Sequence, residues 1–321
     1  MKTLFLSTIC FVILLCSSCN KAKTLSSPTP INADSLIDST LLPDSISYSD
    51  YQTNYWATFE NNTNTNVNVL IENYSGHKCL NCPTANDVAF ELETTNLGRI
   101  FSTSIHSGPA GSTVFQNTDG LLFSNDLTNL NGLSIATQIT DNSFIGLPMG
   151  TINRKPFNNQ LFQSNINWQS NSNSILNANN LEVNLQAKTN YFESTRGLFL
   201  HTEIDVLNAI SDDLYQVVYL IEDSVISPQI MPSNLGFPNN IDELYVQRNI
   251  MRGCIDNNPM GIQLTDIYKV DKFGNVLTGD KFYVNYTYHL PNQYNPENMH
   301  LLIYVYNNAT KEILQVIRKD I

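Results

Sequence analysis

Gly76-His77-Lys78-Cys79-Leu80-Asn81-Cys82-Pro83 decides how this chain is read. It follows the strand-like run Val67 to Ile71 and opens a helix-like segment from Pro83 to Leu97. In that segment Ala85, Val88, Ala89 and Leu92 recur at helical spacing, with Asp87, Glu91 and Glu93 on the outer side. Pro83 suits a first helical turn and Gly98 a C-terminal cap. Two cysteines two residues apart, between a strand end and a helix N-terminus, are the layout of a thiol–disulfide site. The helix dipole and the free backbone N–H groups at that end favour a thiolate. Cys79 is expected to be the exposed nucleophile and Cys82 the resolving thiol, with His77 and Lys78 adding positive charge beside Cys79.

Working outward, Arg99 to His106 reads as a second strand, and a short helix is expected near Leu121 to Leu130. Phe144 to Arg154 then contains Leu147-Pro148-Met149 just ahead of a strand. A proline there, downstream of a Cys-x-x-Cys, is where the thioredoxin fold places a cis-proline. The Leu147–Pro148 bond is expected to be cis by that analogy and to bind substrate backbone opposite the disulfide. Glu72, a carboxylate at the end of an apolar strand, is the candidate base, with burial expected to raise its pKa. His106 ends the neighbouring strand and is a candidate for lining the same face. Gln160 to Leu176 reads as a closing helix with Trp168 on its buried side. Asn153 and Arg154 are candidates for tying the two domains together through hydrogen bonds to backbone carbonyls.

Beyond residue 180 the character changes. Alternating runs at Leu181–Ala187, Leu198–Leu207, Tyr215–Ile221, Phe282–His289, Leu301–Tyr306 and Ile313–Ile317, with turns such as Phe273-Gly274-Asn275, suggest a β-sandwich of immunoglobulin-like type. The expected order is therefore an α/β unit over residues 59–180, thioredoxin-like, then an all-β sandwich over residues 181–321.

The N-terminus says where such chemistry would occur. Lys2 precedes the apolar run Leu4 to Leu15, which is short for a membrane span and signal-like. Small residues then lead to Cys19, as in a bacterial lipobox. Cleavage after residue 18 and diacylation of Cys19 would anchor the protein in the bilayer; an ordinary signal peptide cut nearby is the other reading. Residues 19–58, rich in Ser, Thr, Pro and Asp, read as a flexible tether. It carries Asp34-Ser35-Leu36, Asp38-Ser39-Thr40 and Asp44-Ser45-Ile46, which look like acceptor triplets for O-glycosylation. With Cys10 and Cys16 in the signal and Cys19 lipidated, Cys79, Cys82 and Cys254 remain. In an oxidising exported space Cys79 and Cys82 can pair, and Cys254 reads as a small buried apolar residue.

Net charge is −12, with Lys and Arg scattered rather than in a block, which argues against nucleic acid as a partner. A zinc site needs about four ligands, and only His77 lies near the cysteine pair. Pro83 stands where a haem attachment motif needs histidine. No metal and no cofactor is expected.

The run Val69-Leu70-Ile71-Glu72 through Cys79-Leu80-Asn81-Cys82-Pro83 resembles the signature of the outer membrane protein 28 family. So do Ile105-His106-Ser107-Gly108, Pro148-Met149-Gly150-Thr151-Ile152-Asn153-Arg154, Tyr219-Leu220-Ile221-Glu222-Asp223 and Asn249-Ile250-Met251-Arg252-Gly253. Gln247-Arg248-Asn249 departs from the pattern, which would place a histidine before the arginine. The resemblance implies an outer-membrane lipoprotein, facing the periplasm or the outside, with a thioredoxin-like part followed by a β-rich part. Two functions stay open at this point. One is a thiol–disulfide oxidoreductase acting on exported proteins. The other is a surface binding or adhesion lipoprotein whose Cys79–Cys82 disulfide is structural.

Overall fold

Ser47 and Asp50 start the first helix, α1 (Tyr48–Asn54), through reciprocal side chain–backbone bonds. In the computed structural model, residues 37–107, 113–141, 143–270 and 280–321 are described. The signal segment, Cys19, the triplet at Asp34, Gly108 and the turn at Phe273 lie outside them. The expected tether is corrected from Ile37 onward. Leu42 and Tyr51 are buried with Phe199, flanked by Ile37, Ile46 and Trp56. The Tyr51 hydroxyl bonds His201 Nε2 at 2.6 Å. Isolated apolar anchors spread through a Ser/Thr/Pro background leave no periodic pattern, so this segment reads as a linker although it folds.

The first strand, β1 (Val69–Tyr74), is buried along its whole length. Its odd residues Val69 and Ile71 pack with Ile100, Ile152, Trp168 and the inner side of α2 (Cys82–Thr95). Its even residues Leu70 and Tyr74 enter a second cluster on the opposite face, as strand alternation requires. β2 (Ile100–Ile105) runs parallel to β1, and β3 (Met149–Ile152) antiparallel on its other side. The helix expected near residues 121–130 is instead α3 (Leu130–Ile139). The Asp126 carboxylate accepts from the Thr128 backbone N–H, turning the chain, and the Asn129 side chain accepts from Gly132 N–H, so the helix begins only after it. The closing helix is α4 (Trp168–Ala178), shorter than expected, with Trp168 fully buried.

The remainder is largely strand. β4 (Val183–Phe192), β5 (Gly197–Val206) and β6 (Leu214–Glu222) match the alternating runs. Four two-residue strands follow: β7 (Val225–Ile226), β8 (Gln229–Ile230), β9 (Ile241–Asp242) and β10 (Val246–Gln247). Then come β11 (Ile250–Cys254), β12 (Ile262–Gln263), β13 (Lys281–His289), β14 (Met299–Asn307) and β15 (Ile313–Asp320).

Strands from both sides of residue 180 share one sheet, in the order β15-β14-β6-β11-β2-β1-β3, with β12 added on β6. The seam is the short parallel contact of β11 with β2, where the Ser104 N–H donates to the Asn249 carbonyl at 2.8 Å. Both segments that form β11's pairing with β6 are among those that carried the family resemblance. On one face of this sheet β1 and β2 share a core with Val217, Tyr219, Ile221, Leu302, Tyr304 and α3. On the reverse face, helices α2 and α4 cover β1–β3. There the sheet of β4, β5 and β13 covers β6 and β14 through Leu185, Leu200, Val284, Val218, Leu220 and Ile303. The large sheet curls so that its ends meet: Ile313 N–H donates to the Asn153 carbonyl (2.8 Å), and Asn68 N–H to Gln315 Oε1 (2.9 Å).

Candidate functional site

β1 delivers the chain into the Ser75–Asn81 loop, and α2 begins at Cys82, the first helical residue, with Pro83 in the first turn. Cys79 and Cys82 form a disulfide with Cα atoms 5.4 Å apart. Gly76 is needed where it stands: an added Cβ would lie 2.7 Å from Gln116 Nε2 and 2.8 Å from Phe115 Cβ. The Leu147–Pro148 bond is cis. It sits at the same end of the sheet as the disulfide, because Met149 pairs with Tyr74, the last residue of β1.

The expected exposure of Cys79 is corrected. Cys79 is 2 % exposed and Cys82 fully buried. A segment from the other half of the chain lies over the loop. Ile230 N–H donates to the His77 carbonyl at 2.8 Å. The Gln229 side-chain amide donates to the carbonyls of Gly76 (3.2 Å) and Cys79 (3.1 Å), and Gln229 Oε1 accepts from Gln247 Nε2 at 3.1 Å. The expected positive charge is not left free beside Cys79. His77 is buried, and burial lowers its pKa despite the bond to the Asn117 carbonyl, so it is neutral at pH 7. The Lys78 ammonium pairs with Asp119 at 3.5 Å and lies over the Phe123 ring.

Glu72 is not the base of raised pKa that the sequence suggests. Its side chain points to the inner face of the curled sheet, where Arg154 donates from Nε to Oε2 (2.9 Å) and from a terminal nitrogen to Oε1 (2.7 Å). Tyr219 donates to Oε1 and Thr151 to Oε2, both at 2.7 Å. Burial alone would lift the Glu72 pKa. The Arg154 charge and these hydrogen bonds outweigh it and hold the carboxyl below its ordinary value. Arg154 also donates to the Tyr304 hydroxyl at 2.8 Å. Asn153, in the left-handed region at φ 48°, accepts from Leu70 N–H through Oδ1 (2.7 Å) and donates to the Asn68 carbonyl. The pair ties β3 to β1, β6, β14 and β15, but the links across the halves run from Arg154 to the Tyr219 and Tyr304 hydroxyls and from Ile313 N–H to the Asn153 carbonyl, not from these side chains to backbone carbonyls.

His106 is fully buried, and burial pulls its pKa down to about 3. It borders a cavity of about 510 Å³ together with Gln116, Asp126, Thr128, Leu130 and Leu133. Pro148 and Leu147 do not border that cavity, so His106 faces a different space from the proline loop. Cys254 is buried, and burial pushes its thiol pKa well up.

Over residues 137–321 the sequence matches the family described as outer membrane protein Omp28. The chain belongs to that family. The matched region holds the proline loop, the Asn153–Arg154 tie, the covering segment and all later strands, and begins after the cysteine pair. HBP35 of Porphyromonas gingivalis is similar in fold, with a TM-score of 0.54 and 15 % identity, over 80 % of this chain and 76 % of that one. A domain of the outer membrane lipoprotein Omp28 from the same organism aligns with a TM-score of 0.27 and 16 % identity, over 44 % of this chain and 89 % of that one. No curated protein matches the chain. No helix of the described residues is long and apolar enough to cross a membrane.

Sequence reasoning missed Gln229, Ile230 and Gln247. Pro228, Pro232 and Pro238 break their surroundings into two-residue strands, too short to show a period. The missing histidine at Gln247 was the one available signal: the amide there holds Gln229.

Proposed function

We propose that this Omp28-family protein is an outer-membrane lipoprotein, anchored through acylated Cys19, that acts as a binding scaffold for exported proteins or surface ligands. Its thioredoxin-like half carries a disulfide closed off in the resting state. The observation that carries this reading is the burial of both cysteines beneath Gln229–Met231. Two features support it: the Glu72 carboxylate is saturated by four donors, and neither His77 nor Lys78 is a free cation beside the disulfide. The thioredoxin-like assignment rests on the order strand, Cys-x-x-Cys, helix, parallel strand, proline, antiparallel strand.

The test is Cys82→Ser in the native host, followed by non-reducing gels. A closed scaffold traps no broad set of partners through Cys79; a ladder of many mixed disulfides on the otherwise intact protein would overturn the reading. The exchange reading retains one favourable observation, the position of Cys82 as the first residue of α2, where helix-end amides stabilise a leaving thiolate. Anchoring is tested separately. Mass spectrometry of the mature N-terminus should find lipid on Cys19, and an unmodified N-terminus elsewhere would remove that part of the proposal.

A further inference from the structure

The segment over the disulfide is built as a docked peptide is built. Ile230 offers its backbone N–H to the His77 carbonyl, the main-chain bond an extended ligand makes to a loop or strand edge. Gln229, fully buried, spans the carbonyls of Gly76 and Cys79 with one amide group. Its grip depends on Gln247, which donates to Gln229 Oε1. Met231 is buried beside it, and its N–H donates to the Asn240 carbonyl at 2.7 Å.

The rest of this segment is lightly held. It hangs from two ladders of two residue pairs each, β7 with β10 and β8 with β9. Ile226, Leu235 and Leu244 around it are 52 %, 53 % and 76 % exposed. The Ser227 hydroxyl is buried without a hydrogen-bond partner. Pro228 within the segment and Pro232 just after it remove the N–H groups that would extend the pairing. Short ladders with little buried apolar surface belong to the low-stability end of a protein and open before the core does. Beneath it, the disulfide joins the loop to a helix N-terminus.

We propose that Ser227–Met231 is a resident occupant of a docking edge for extended polypeptide, and that a partner segment taking its place exposes the Cys79–Cys82 disulfide to exchange with that partner's thiols. This goes beyond the closed resting state argued above. In the exchange, a partner thiolate attacks Cys79 Sγ, the Cys79–Cys82 bond breaks, and Cys82 leaves as a thiolate and takes up a proton. The partner's second thiol then attacks the mixed disulfide, releasing Cys79. The partner dithiol is oxidised to a disulfide and the Cys79–Cys82 pair is reduced to two thiols.

The experiment measures the rate at which dithiothreitol reduces the disulfide in the folded mature protein. The variants are Gln229→Ala, which removes the carbonyl clamp, and Ile230→Pro, which removes the bonded N–H. Tyr51→Phe, which removes the α1 hydroxyl bonded to His201 and Asn190, is the control. Ile230→Pro loses one hydrogen bond and Gln229→Ala three, so at about 1 kcal/mol each reduction should speed up roughly fivefold in the first and about a hundredfold in the second. Tyr51→Phe should leave the rate within about twofold of the parent, a shift well under 1 kcal/mol. Equal rates in Gln229→Ala and parent would overturn the proposal. So would acceleration by Tyr51→Phe as large as that by Gln229→Ala, because reduction would then track global unfolding. A mixed disulfide with a docked partner is expected in Cys82→Ser and at higher yield in Cys82→Ser/Gln229→Ala; its absence from both counts against the docking edge alone and leaves the closed resting state standing.

Discussion

Replacing Arg154 with alanine would strand a carboxylate in the core. Arg154 is 1 % and Glu72 0 % exposed, and their nearest charged atoms are 2.7 Å apart. Two of the four hydrogen bonds to Glu72 come from the guanidinium. Truncation leaves Tyr219 and Thr151 as the remaining donors and no counter-charge. Breaking a buried pair from one side costs about 3–5 kcal/mol. The same range follows from two charge-assisted hydrogen bonds at roughly 1.5–3 kcal/mol each. A domain holds only about 5–15 kcal/mol in all, so Arg154→Ala should sit near the edge of folding. Urea titration followed by tryptophan fluorescence and circular dichroism reads the change. The paired apolar variant Glu72→Leu/Arg154→Met should recover much of the loss, because it removes both charges at similar volume. A cost below about 1 kcal/mol for Arg154→Ala would refute the reasoning that this pair is desolvated and closed.

Acid should weaken the protein well above the carboxylate range. Burial pulls His106 and His300 to about 3, so between pH 6.5 and 3 the unfolded chain binds more protons than the folded one. The stability is fully present above the free-histidine value and falls by up to roughly 1.4 kcal/mol per unit of pH for each group. Melting temperatures at pH 7.5 and 5.5 check it, and His106→Gln/His300→Gln should flatten the slope. Gly76→Ala should cost about 1–3 kcal/mol, because its Cβ meets the Gln116 and Phe115 side chains; a denaturant melt within error of the parent would remove that steric claim. Tyr51→Ala should cost about 3–5 kcal/mol by emptying its site against Phe199, whereas a true tether residue would cost nothing measurable. Cys254 should resist iodoacetamide until the chain is unfolded, as its exposure of 3 % demands; labelling in native buffer would contradict its burial.

What the sequence disclosed was local chemistry. The strand before Cys79, the helix from Cys82, the proline ahead of β3 and buried Trp168 each follow from a few adjacent residues whose spacing, turn or capping preference points one way. The long strands β4–β6 and β13–β15 were legible from alternation. The site failed where pairing is distant. Glu72 finds Arg154 82 positions away and Tyr219 147 away, and no local pattern tells a base awaiting a proton from a saturated carboxylate. The Cys79 carbonyl is bonded by Gln229 across 150 positions, so a motif that looks open in sequence is covered in space. The single sheet through both halves depends on the β11–β2 contact, which has one registered pair, Ile250 with Ser104, and no periodic signature.

In the resting protein the disulfide is shut beneath Gln229 and Ile230. The most direct measurement is the rate of its reduction by dithiothreitol in the folded chain, divided by the rate for the same disulfide in urea. Four hydrogen bonds hold the covering segment to the loop and to itself: Ile230 to His77, Gln229 to Gly76, Gln229 to Cys79 and Gln247 to Gln229. At about 1 kcal/mol each they predict a folded rate roughly a thousandfold below the unfolded one. A folded rate within about threefold of the unfolded one, a difference under 1 kcal/mol, would contradict it.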